Sequence, residues 1–160
     1  MNSRSKIQLL VAASLFLIAC LFFYNSWKQG RGGAKAFFYD LSKSQLFTAE
    51  ASMIPPIRGI DGAEEDGVKA VVIADKPEDM KGRRIAYLER YSPELKKDME
   101  EARAKNSAPM IGRAGAQALR FVRREKDKDW YPMISAEGQK IVSEWTTPGP
   151  DGLSPVVCVP

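Results

Sequence analysis

The sequence predicts an α+β chain: a single N-terminal transmembrane helix, then a small domain with a mostly antiparallel sheet and two helices. Three observations carry this expectation. Residues 7–24 contain no charged side chain. Beyond residue 36, short segments rich in aromatic and β-branched residues recur between clusters of Gly, Pro and Asp, as strands do. Two later stretches open on a serine that can cap a helix.

Ile7 to Tyr24 reads IQLLVAASLFLIACLFFY, with only Gln8 and Ser14 clearly polar. As a helix this run rises about 27 Å, and extension through Trp27 brings it to about the hydrocarbon thickness of a bilayer. Residues 7–27 are therefore expected to contact membrane lipid as a signal anchor, behind a basic lead over residues 1–6 that carries Arg4 and Lys6. Tyr24 and Trp27 fall at the end, where amphipathic rings favour the interface. A cleaved signal peptide would show a small-residue exit, and Leu21, Phe22 and Phe23 stand there instead. Leu17-Ile18-Ala19-Cys20 resembles the bacterial lipobox, which implies lipid attachment at Cys20 as the alternative mode of anchoring. The apolar residues directly after Cys20 depart from that pattern. Lys28, Arg31 and Lys35 follow the run, so the count of flanking cations does not place the N-terminus in the cytoplasm. A short basic lead before an apolar run is nonetheless the form of anchors that send the following domain outward. The expected location is a bacterial membrane, single-pass, with the domain extracytoplasmic.

Composition excludes several chemistries. The chain has 24 Lys and Arg against 20 Asp and Glu, and no His. Five of the cations flank the apolar run and every acid lies beyond it, so residues 36–160 are nearly neutral. A nucleic-acid partner therefore loses its main electrostatic argument. Without His, Ser-His-Asp and Cys-His catalysis are excluded, and the commonest zinc ligand is missing. Cys20 and Cys158 are too few and too far apart in the chain for a disulfide framework or a metal cluster. No cofactor is expected.

Residues 28–35, with Gly30, Gly32 and Gly33, read as a flexible basic linker. The domain is expected over 36–145. Ala36–Asp40 and Gln45–Glu50 form a hairpin about a turn at Leu41–Ser44, with Phe37 or Phe38, Tyr39, Leu46 and Phe47 as apolar members. Ile54-Pro55-Pro56-Ile57 is extended, because proline lacks the amide donor and restricts its predecessor. Arg58–Gly67 is an exposed acidic loop whose Asp61, Glu64, Glu65 and Asp66 lack the alternation of a calcium loop. Val68–Ala74 is the clearest strand, Lys76–Gly82 a charged turn, and Arg84–Tyr91 the next strand. Ser92-Pro93-Glu94 starts a helix that runs to about Lys105, with Leu95, Met99 and Ala102 on its apolar line. Asn106–Gly115 reads as loose. Ala118–Arg124 alternates as a half-buried strand. Arg120, Arg123, Arg124, Lys126 and Lys128 are interleaved with Glu125, Asp127 and Asp129, which favours a mixed-charge turn over a phosphate or headgroup site. Ser135 caps a second helix to Trp145, with Ile141, Val142 and Trp145 inward. The Pro- and Gly-rich tail 146–160 is irregular.

Phe38-Tyr39-Asp40-Leu41, Leu46-Phe47, Ile54-Pro55-Pro56-Ile57, Tyr87-Leu88-Glu89-Arg90-Tyr91, Asp127 to Trp130, Ser135-Ala136-Glu137-Gly138 and the ending Cys158-Val159-Pro160 together resemble an uncharacterised family of small membrane-anchored bacterial proteins. The resemblance implies an anchor plus a small domain, and no known activity. The resemblance also implies cysteines in some members of that family about the turn that reads Asp75 to Asp79 here, and this chain has none there.

No nucleophile with a base, phosphate loop or metal constellation appears, so a non-catalytic interaction or structural module with a protein partner is the leading expectation. Three alternatives stand beside it. One is the lipoprotein anchored through Cys20. Another is a carboxylate-dependent enzyme using Asp40 with Glu50, or the Glu64–Asp66 cluster. The last is a pilin-like subunit, which requires a helix continuing from the apolar segment into the domain.

Overall fold

The computed structural model describes Ala19, Cys20, residues 33–149 and residues 151–160. Lys35–Pro160 forms a compact unit by itself. Its centre is a seven-stranded antiparallel sheet, ordered β2-β1-β3-β4-β5-β6, with β7 on β3. The strands are β1 (Lys35–Asp40), β2 (Gln45–Glu50), β3 (Gly67–Ala74), β4 (Arg84–Tyr91), β5 (Arg120–Arg123), β6 (Tyr131–Pro132) and β7 (Val156–Val157). Three helices accompany them: α1 (Pro93–Ala104), α2 (Arg113–Ala118) and α3 (Ala136–Glu144).

Two expectations are corrected. Among the described residues no helix is long and apolar enough to cross a membrane, so the architecture described has no transmembrane helix. The longest, α1, has 12 residues and rises only about 18 Å, against a hydrocarbon core about 30 Å thick. Of the expected span 7–27, only Ala19 and Cys20 lie among the described residues. The domain also holds three helices rather than two. The additional one, α2, has no buried residue and starts at Gly112 without a side-chain cap. It therefore leaves neither an apolar stripe nor a capping residue in the sequence.

The hairpin forms from local chemistry. Ser44 adopts a left-handed φ of 53°, closing the turn that sets Phe38 opposite Phe47 and Asp40 opposite Gln45. Alternation then assigns the two faces. One row crosses the sheet as Phe47, Phe38, Lys69, Glu89, Val122 and Tyr131. The opposite face carries Phe37, Tyr39, Val68, Ala70, Val72 and Leu88, which form one buried cluster with Ala74 and Cys158. Cys158 enters it because the tail is not wholly irregular: Val156 and Val157 pair with Ala74 and Ile73, and the Cys158 amide donates to Val72 O.

The helix starts follow the capping logic. Ser92 Oγ accepts from the Leu95 amide, with Pro93 in the first turn, and Ser135 Oγ accepts from the Gly138 amide. Helix α3 buries Ile141 completely and packs on β4, β5 and β6. Its first turn touches the chain just before it: a Cβ on Gly138 would collide with the Pro132 carbonyl. Gly138→Ala is therefore expected to destabilise the domain by about 1–3 kcal/mol, although alanine is favoured over glycine in an open helix. The denaturant midpoint checks this, and a stabilised variant would refute the close approach.

Candidate functional site

The carboxylates named from the sequence are placed apart or committed to the fold. Asp40 faces Gln45 and Glu50 faces Lys35, so the two acids sit at opposite ends of the hairpin, about 17 Å apart at strand rise. Asp40 is fully buried. Its Oδ1 accepts from the Lys43 amide at 2.8 Å and from Ser42 Oγ at 2.9 Å, and its Oδ2 accepts from the Ile60 amide at 2.7 Å. Asp40 thus ties the hairpin turn to the following loop. Glu65 pairs with Lys96 at 2.7 Å, Asp66 Oδ2 accepts from the Ser42 amide, and Glu64 is exposed. Among the described residues, no group of three or more His, Cys, Asp or Glu side chains is placed to hold a metal ion.

The Lys43 amide holds the Asp40 carboxyl below the usual aspartate range, aided by Ile60 and Ser42 and opposed by burial. A lowered native pKa contributes stability that is fully present above the unfolded value, about 3.9, and is lost as pH falls through the native one. Asp40→Asn is accordingly expected to be less stable than wild type at neutral pH, with the gap closing in acid. Denaturation curves at several pH values test this, and a pH-independent gap would contradict it.

A different cluster emerges at the other end of the sheet. The β4–β5 register sets Leu88 opposite Arg123 and Arg90 opposite Phe121. Both arginines therefore lie on the Leu88 face, diagonally across the ladder. The loop after β5 folds over this face: Trp130 packs against the core cluster, and Tyr39 Oη donates to Glu125 Oε1 at 3.3 Å. The Arg90 guanidinium carbon lies 4.5 Å from the Trp130 ring centroid and that of Arg123 lies 4.9 Å from it. Arg90 also approaches the Phe121 ring, at 5.9 Å. Burial, and then the neighbouring Arg123 charge, push the Arg90 pKa down.

Neither guanidinium has a carboxylate within ion-pair distance among the described residues, and residues 1–34 contain no acid. Arg123 Nη1 donates to Asp127 O at 2.6 Å, while its Nε is buried without an acceptor. The adjacent Arg124, just beyond the end of β5, is by contrast committed to carboxylates. It grips Glu144 through Nε and Nη2 at 2.6 Å each, and it also reaches Asp127 and Glu137. These partners raise its pKa, the Glu144 hydrogen bonds most strongly. Arg124 so clamps the base of the loop to α3 and fixes the platform that carries Trp130. Beside it opens a cavity of about 430 Å³ lined by Ile85, Ala86, Arg124, Glu125, Lys126, Asp127 and Glu144. A second cavity, of about 330 Å³, contains Arg84 already paired with Asp75 at 2.8 Å.

Reasoning from sequence placed Arg123 in a mixed-charge run and did not single out Arg90 or Trp130. Cys20 is exposed and Cys158 buried, and both are free. No family model matches the chain, and neither a curated protein nor a solved structure shows significant similarity to it.

Proposed function

We propose that residues 35–160 act as a non-catalytic interaction module that binds a protein partner. One observation supports it above all: two guanidiniums share an aromatic platform, and among the described residues neither has a carboxylate within ion-pair distance. Arginine stacked on a half-buried aromatic ring is recognition chemistry, enriched where partners bind, and no nucleophile stands in the cluster. The separation of Asp40 from Glu50 gives the carboxylate-enzyme alternative no support. The strand at Lys35–Asp40 gives none to a pilin-like subunit, which wants helix there.

A photo-crosslinking residue placed at exposed Lys128, in the loop beside Trp130, tests the proposal in the native cell. The control position is Lys97 on α1, a helix whose neighbours Lys96 and Arg103 bind Glu65 and Ser52 instead. A discrete heavier adduct from position 128 and none from 97 is the expected result. No adduct from position 128 would contradict it.

A further inference from the structure

We propose that Arg90, Arg123 and Trp130 bind carboxylate side chains from an acidic segment of the partner, an assignment that rests on the interaction-module function proposed above. The geometry points to a small anion. The Arg90 guanidinium carbon sits 4.5 Å from the Trp130 ring centroid, and among the described residues none of its guanidinium donors has a protein acceptor. That leaves a planar fork free for a bidentate carboxylate. Arg123 adds a second positive charge across the ladder, with one of its donors held by Asp127 O.

Placing two like charges on one face of a sheet without counter-ions costs stability. An arriving anion removes that cost and supplies hydrogen bonds to donors that the ring has already partly desolvated. Rigidity favours recognition as well, because the Arg124 clamp to Glu144 and Glu137 fixes the loop before a ligand arrives.

The surroundings select carboxylate over a polyphosphate backbone. In the loop, Glu125, Asp127 and Asp129 balance Arg124, Lys126 and Lys128. The attractive charge is thus confined to Arg90 and Arg123, which matches one or two carboxylates. A nucleic-acid backbone, charged at every residue, finds no extended basic track here because the loop acids interrupt it, whereas a flexible acidic segment can present one or two carboxylates to the pair.

The test uses the full chain and a fluorescein-labelled hexaglutamate peptide, read by anisotropy at low salt. Hexaglutamine and inorganic phosphate serve as competitors, and thermal melts confirm that each variant is folded. Arg90→Gln is expected to weaken hexaglutamate binding by about tenfold or more, the loss of a charge-assisted pair. Arg90→Lys, which keeps the charge without the fork, is expected to fall between it and wild type. Lys97→Gln removes the same charge from α1 and is expected to change affinity by less than about twofold at moderate salt. Equal affinity of wild type and Arg90→Gln overturns the proposal, as does an equal loss in Lys97→Gln. Phosphate that competes more strongly per molecule than the peptide overturns the choice of carboxylate. If hexaglutamate fails to bind while the Lys128 crosslink persists, the carboxylate assignment falls and the interaction module stands; if the crosslink is also absent, both fall.

Discussion

Arg120→Met is expected to destabilise the domain by about 3 kcal/mol at neutral pH, because it strands a buried carboxylate. Glu89 is only 2% exposed. Its Oε1 accepts from Arg120 Nε at 2.6 Å and lies 2.6 Å from Nη2. On Arg120, burial works against the charge, yet Glu89 more than offsets it, so the guanidinium pKa is raised. Tyr87 and Tyr91 have pKa values raised by burial and then by the Glu89 charge. Removing Arg120 leaves the buried Glu89 carboxylate with no comparable partner, and the cost of an unpaired buried charge is present only while the carboxyl is ionised. The deficit should therefore be small near pH 4 and grow as pH rises. A Glu89→Leu/Arg120→Met double variant should recover most of the loss, since an apolar pair incurs no charge desolvation. Denaturant unfolding at pH 4.5 and pH 7.5 distinguishes this from simple loss of packing, which would cost the same at both.

Leu88→Ala is expected to cost about 2–5 kcal/mol, the range for emptying a packed aliphatic site. Leu88 is fully buried on a strand paired on both sides, opposite Ala70 and Arg123. It belongs to the cluster that also supports Trp130. The cavity would lie beneath the Trp130 platform, so hexaglutamate affinity should fall together with the denaturant midpoint. Loss of stability without loss of binding would show that the platform does not depend on the core below it.

Legibility followed the range of the chemistry. The hairpin and both serine-capped helices rest on contacts within a few residues, such as Ser92 Oγ to the Leu95 amide, and such signals are written locally. Helix α2 was missed because RAGAQA has neither a cap nor an apolar stripe. Glu89 would be exposed by hydropathy alone; a cross-strand arginine, 31 residues away in sequence, makes its burial tolerable. The acidic pairs suggested by composition fail for the converse reason, since the hairpin register separates Asp40 from Glu50. The candidate site was hidden for two reasons. Arg90 and Trp130 meet only through the β4–β5 register and the loop that folds back. The consecutive residues Arg123 and Arg124, moreover, have different surroundings, the first without a carboxylate within ion-pair distance among the described residues and the second with three. A run of basic residues read as a unit cannot separate them.

The central claim is that the Arg90 fork serves recognition rather than folding, and the unfolding free energy of Arg90→Met in the full chain tests it most directly. Methionine keeps an apolar stem against Trp130 and Phe121 while removing a charge that faces Arg123. The cation–π contribution lost, about 0.5–1 kcal/mol, is then offset by relief of desolvation and like-charge repulsion. The predicted stability lies within about 1 kcal/mol of wild type, the range of substitutions away from structural features. A loss of more than about 2 kcal/mol would instead make Arg90 a structural brace for Trp130, and would contradict the claim.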